Sequence, residues 1–329
     1  MTPEVAARRP AAIAWLWSWA MLGALCSLPA ALVALRSPSD GLALALGCIP
    51  AAAAGARGGR RSRVAVLVVG LCIGLGLVLG AALSTFWLLA VGGIFVLALG
   101  AAVMSAHARV GSLLMTLAVP MVGAGLSFDG DVDAAAGVAA LMAVGAVYGW
   151  LLCLCWPEES VTAPAHAALP GPATMVEYGV RLGLAGAACA ALGFALDLGH
   201  KGWATAACLL VMRPTAEMTR LRGAGRAVSV TTGALAACVL AQLEVDESVI
   251  AAAIVVALTG LAATRPSRWY VTGGFTSFIV ILLLVYGAPD EAERRFDERV
   301  GETLLGIAVA LLFGVALPAL KQRNRGPST

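Results

Sequence analysis

Apolar runs long enough to cross a bilayer, or nearly so, follow one another along almost the whole chain, and the breaks between them are short. A membrane-spanning helix needs about 20 consecutive apolar residues. Reading the runs between charges and turn residues predicts about twelve spans, at 13–35, 41–56, 64–83, 86–106, 111–127, 134–156, 177–196, 202–213, 226–243, 248–264, 269–288 and 301–320. Only the stretch from Pro157 to Thr174, with four prolines and no apolar run, reads as a linker. Charged residues make up 12% of the chain and hydrophobic ones 60%, where soluble domains carry about 25% charged residues. A single soluble core cannot cover that much apolar surface. Disorder, nucleic-acid binding and a secreted disulfide scaffold are excluded by the same composition.

The expectation is an all-α polytopic membrane protein: a first six-helix bundle over 1–157, a cytoplasmic linker over 158–175, a second six-helix bundle over 176–320 and a basic cytoplasmic tail over 321–329. The N-terminal run behind Arg8 and Arg9 resembles a signal peptide, but at about 25 residues it exceeds the roughly 7–15 of a signal core. It reads as the first retained span, anchored by Trp15, Trp17 and Trp19. Cys26, Cys48, Cys72, Cys153, Cys155, Cys189, Cys208 and Cys238 all lie inside apolar runs, without His or carboxylate partners at zinc-ligand spacing. They read as small buried residues, and no metal or cofactor is expected. Counting Lys and Arg in alternate loops puts 17 of the 22 on one side, that of both termini. The positive-inside rule makes that side cytoplasmic.

The halves 36–157 and 197–318 read as copies. Arg57-x5-Arg63-x6-Gly70 matches Arg220-x5-Arg226-x6-Gly233, Asp40-Gly41 sits over Lys201-Gly202, and Pro157 and Pro318 close the sixth spans. An even number of spans per copy makes the repeats parallel. The second span of each half is unusual: 41–56 is broken by Pro50, and 202–213 is short and ends at Pro214. Short or proline-interrupted spans at matching positions point to a substrate path.

Three groups of side chains are candidates for function. Arg213, Arg220, Arg222 and Arg226, with Arg63 in the other half and Arg268 nearby, offer planar forks that hold carboxylates; the same arginines also fit an ordinary positive-inside signal. His200 and Lys201 precede Trp203 at the outer mouth of the eighth span. There the histidine suits proton coupling, and the indole suits either stacking or interface anchoring. Arg299 and Glu302, three apart on one helical face, suit pairing or gating. No zinc-protease, nucleophile-elbow or phosphate-loop motif occurs. Asp129-Gly130-Asp131-Val132-Asp133 has the alternation to hold Mg²⁺ and a diphosphate, or is simply an acidic outer loop.

The run His200-Lys201-Gly202-Trp203-Ala204, then Val211-Met212-Arg213-Pro214, then Thr219-Arg220-Leu221-Arg222-Gly223-Ala224-Gly225-Arg226 and Gly233 resembles the core motif of the fusaric acid resistance family of aromatic acid exporters. Arg299-Val300-Gly301-Glu302-Thr303-Leu304-Leu305-Gly306, with Pro318, resembles its closing motif. The likeness is strongest over 197–318, and the plant malate channels are similar at a greater distance. The resemblance implies two six-helix bundles and efflux of aromatic carboxylic acids or related anions; the large family members carry a soluble cytoplasmic domain, and no stretch of this sequence reads as one. The expected function is an inner-membrane organic-anion exporter, driven by protons or potential, with a small anion and the lipid bilayer as partners and no nucleic acid. Arg63, Arg213, Arg220, Arg226, Trp203 and Arg268 are its expected substrate contacts, and His200, Lys201, Arg299 and Glu302 its coupling or gating groups. A passive anion channel, or an intramembrane enzyme using the aspartate loop, are the alternatives.

Overall fold

A computed structural model describes residues 13–54, 59–107, 111–112, 114–158, 171–243, 245–286 and 289–324. Most of the 158–175 linker, the end of the basic tail, and Arg8, Arg9, Arg57 and Arg109 lie outside them. Every regular element among the described residues is helical, and the helices number twelve: α1 Trp17–Ala34, α2 Pro38–Ala54, α3 Val64–Ser84, α4 Trp87–Ser105, α5 Leu114–Phe128, α6 Val132–Cys155, α7 Pro172–Ala195, α8 Trp203–Val211, α9 Ala216–Gln242, α10 Glu247–Ala263, α11 Trp269–Val285, and α12, which starts at Ala292 and continues through a π turn at Leu312–Ala316. Seven of them (α1, α3, α4, α6, α7, α9 and α12) are long and apolar enough to cross a membrane. Large apolar side chains such as Leu75, Leu88, Val96 and Val256 point outward and are more than 60% exposed. A soluble protein does not display such a surface all round; a bilayer covers it.

Small residues hold the bundle together. Without a hydrophobic drive between helices in lipid, association depends on close backbone approach. A Cβ at Gly145 of α6 would overlap the carbonyl oxygen of Leu44 in α2, and one at Gly306 of α12 would overlap that of Ala204 in α8. Helices α2 and α3 both pack on α6, and α8 and α9 both pack on α12. In the same way α1 meets α2 and α7 meets α8, α3 meets α5 and α9 meets α11. Between the two groups, α1 lies on α10, α4 on α7, α2 on α11 and α5 on α8.

Three expectations about element bounds are corrected. Helix α2 is not broken by Pro50 but runs through it to Ala54, with the proline buried near its end; the helix forgoes the bond that an N–H at 50 would make to the carbonyl four residues earlier. Helix α9 begins at Ala216 rather than near 226, and α12 at Ala292 rather than at 301. Charged opening turns hide both starts from a reading of apolar runs, although Thr215 caps α9 by accepting from Met218 N and Arg294, Arg295 and Glu298 pair along the first turns of α12.

Candidate functional site

A cavity of about 540 Å³ lies where α2, α3, α5 and α6 meet α8, α9, α11 and α12. The two helices singled out as short or proline-bearing, α2 and α8, both line it. Most of its wall is apolar, with hydroxyls of Ser127, Thr272, Thr276 and Ser277 along α5 and α11. Its ionisable lining residues are Arg222 and Arg226 from α9, Arg299 from α12 and His200 from the turn before α8; no Asp or Glu lines it among the described residues. Arg222 and Arg226 are four apart and so share one face of α9. The Nε of Arg226 and that of Arg299 are buried without a hydrogen-bond partner.

Arg299 is held from one side by an aromatic pair. The His200 imidazole stacks on the Trp203 indole at 3.8 Å and 15°, and the Arg299 guanidinium lies 4.4 Å from the centre of the same indole. Such a cation–π contact is worth more once desolvated, about 2 kcal/mol. Trp203 is 5% exposed, so it is no interface anchor. The indole thus has both an imidazole and a guanidinium against it.

A polar network backs this group. His200 Nε2 sits 2.9 Å from Arg295 Nη1, a donor, so that nitrogen accepts and the ring proton is on Nδ1, 3.3 Å from Glu298 Oε2. The backbone N–H of His200 donates to Glu302 Oε1 at 3.2 Å, whose other oxygen is buried without a hydrogen-bond partner. Burial, then the charges of Arg295, Arg299 and Arg294, push the His200 imidazole from its ordinary value of 6.5 down to about 4. It is therefore neutral at pH 7, bridging α8 to α12. Because the unfolded chain binds this proton below about pH 6.5 and the folded one only near 4, His200 makes stability fall as pH drops through that window. We expect the parent to lose more melting temperature than His200→Gln when the pH in detergent falls from 7 to 5; an equal change in the two would contradict the neutral imidazole.

The remaining expected residues are placed elsewhere. Lys201 donates to Asp129 Oδ1 at 2.9 Å and lies 3.6 Å from Asp197, while Gly202 N donates to Ser127 Oγ; these bonds tie the turn before α8 to the end of α5. The hydrogen bond to Asp129 keeps the Lys201 ammonium above its ordinary value. Of the other two aspartates, Asp131 caps α6 by accepting from Ala134 N and Asp133 is exposed in the first turn. Arg63 is 1% exposed and donates to the carbonyls of Cys153, Trp156 and Pro157, closing the end of α6. Arg213 donates to the Met212 carbonyl at 2.6 Å, closing the end of α8, with Tyr178 donating to the same oxygen at 3.0 Å; burial and the nearby Arg222 charge lower it to about 10, still cationic at pH 7. Arg220 and Arg268 are exposed and outside the cavity lining. The structure thus brings together Arg226, Trp203, His200 and Arg299 at the cavity, with Glu302 and Lys201 behind them. The sequence reading missed Arg295 and Glu298; the i, i+4 spacing of Arg295 with Glu291 and its i, i+3 spacing with Glu298 were the available signal.

A multi-pass helical membrane protein with a cationic cavity between its helices is the class that fold and site define. Residues 187–313, from within α7 to the π turn of α12, match the model of the family described as fusaric acid resistance protein-like. No curated protein and no solved structure matches the chain.

Proposed function

We propose that the protein carries organic anions, aromatic carboxylic acids among them, out of the cell across the inner membrane, through the cavity lined by Arg222, Arg226 and Arg299. The single observation behind this reading is the imbalance of that cavity: the Arg226 guanidinium is buried against an apolar space with its Nε unpartnered, and no carboxylate lines that space among the described residues. A buried cation without a counter-ion is costly, and a carboxylate offered to a guanidinium fork meets it with two hydrogen bonds. An anion is the ligand that completes the site.

The scaffold we infer is twelve spans arranged as two parallel six-helix repeats, with both termini cytoplasmic. Helix pairings that recur at an offset of six, and the matched approaches of Gly145 to Leu44 and Gly306 to Ala204, support it, as does the excess of Lys and Arg on one side. In this reading Trp203 positions Arg299. The His200, Arg295, Glu298 and Glu302 network, with Lys201 on Asp129, forms the outer gate and the route for coupling to protons or potential.

Equilibrium binding to the detergent-purified protein tests the ligand class. Titration calorimetry is expected to show 1-naphthalenesulfonate binding, weakened by added salt, and no binding of the neutral isostere 1-naphthalenemethanol. Equal affinity for the two would remove the electrostatic basis of the proposal.

A further inference from the structure

A second opening lies on the other side of α11. It is a groove of about 630 Å³ between α9, α10 and α11, and its lining is apolar apart from Ser229, Thr232 and Tyr270. Ser229 and Thr232 turn their hydroxyls back onto carbonyls of their own helix, those of Arg226 and Val228, so they do not make the groove polar. It exists because α9 and α10, although consecutive, splay apart along it, whereas α3 and α4 of the first half touch.

Helix α11 lines both this groove and the cationic cavity. Tyr270, Val271, Gly274, Phe275 and Phe278 face the groove, while Thr272, Gly273, Thr276, Ser277 and Val280 face the cavity. At Gly273-Gly274 the wall has no side chain on either side. A Cβ at Gly273, on the cavity side, would come within 3.1 Å of Ser229 Oγ, on the groove side. One turn outward, α9 and α11 touch backbone to backbone, because a Cβ at Gly233 would overlap Gly274 O. Two unequal environments therefore stand one helix apart: an apolar groove on the bilayer face, and a space lined by guanidinium groups.

We propose that the groove is a lateral access site for amphiphilic organic anions dissolved in the bilayer. The occupant is an anion with an apolar body, because the groove offers burial to such a body and nothing to neutralise its charge. The charged end is drawn toward Arg226 and Arg299 across the seam at Gly273-Gly274, and displacement of α11 joins the two volumes. This rests on the anion-passage reading above and adds to it the route and the class of substrate that uses it.

The test compares two permanently charged anions in proteoliposomes of the full chain, 1-naphthalenesulfonate, which partitions into lipid, and methanesulfonate, which does not. Ala236→Trp and Ala253→Trp, each made separately, fill the groove from α9 and from α10; Leu304→Trp adds the same ring to an exposed position of α12. Occluding an apolar site is expected to lower naphthalenesulfonate flux about tenfold in both groove variants, with methanesulfonate flux and the Leu304→Trp control within about twofold of the parent. Retained methanesulfonate flux also shows that the variants are folded. Equal losses for both anions, or no loss for either, overturn the lateral route while leaving the cavity reading intact. Failure of that reading is seen separately, as parent protein that carries neither anion or Arg226→Gln that still carries both.

Discussion

Arg226→Gln is expected to abolish high-affinity binding of 1-naphthalenesulfonate without lowering the melting temperature of the unliganded protein. Arg226 lines the cavity, and its Nε has no hydrogen-bond partner, so no part of the fold rests on a bond from that nitrogen. An anion brought beside it loses the fork that completes its desolvated pairing. Truncating one partner of a buried charged pair costs about 2–5 kcal/mol, enough to take a micromolar ligand to near-millimolar. The like charge of Arg299 faces the same space, so neutralising Arg226 also relieves a repulsion, and the empty protein is expected to melt at the same temperature or higher. A variant that binds as tightly as the parent would show that α9 does not contribute the anion site. A variant that melts well below the parent would show that Arg226 is structural.

Arg63, matched to Arg226 by its spacing in the sequence, behaves in the opposite way. Arg63→Met is expected to destabilise the protein by about 3–5 kcal/mol, because hydrogen bonds from a charged donor contribute roughly 1.5–3 kcal/mol each and three are lost together. The three carbonyls that Arg63 satisfies, on Cys153, Trp156 and Pro157, end α6 and are otherwise without that donor. Unfolding in detergent, followed by helical circular dichroism, should show the loss directly, and the sulfonate affinity of the protein that remains folded should stay near that of the parent. If Arg63→Met unfolds like the parent, the guanidinium is not closing α6, and the divergence between Arg63 and Arg226 disappears as an argument.

These two arginines also show what the sequence can and cannot disclose. Their matched spacing to Gly70 and Gly233 is visible in the sequence and suggests equal roles. Yet α6 ends at Cys155 and turns its last carbonyls toward Arg63, while α12 continues past the corresponding point through a π turn to Asn324, and Arg226 faces the cavity. Where a helix stops decides which arginine is satisfied, and hydropathy locates helix ends poorly. The helices themselves were legible, because the apolar runs of α1 to α12 are bounded by charges or turn residues. The starts of α9 and α12 were not, since Arg220, Arg222, Arg294 and Arg295 interrupt the apolar pattern while continuing the helix. The cluster of His200, Trp203 and Arg299 could be suspected from residue type alone. That Trp203 meets Arg299 depends on a contact between residues 96 positions apart in the chain, which no local spacing encodes.

The most direct measurement is charge-selective flux. In proteoliposomes holding the purified chain, a valinomycin-set potential, positive inside, should drive uptake of 1-naphthalenesulfonate and leave the cationic isostere 1-naphthyltrimethylammonium outside at either sign of the potential. Equal flux of both ions, or uptake of neither above that of empty vesicles, would contradict an anion path through the arginine-lined cavity.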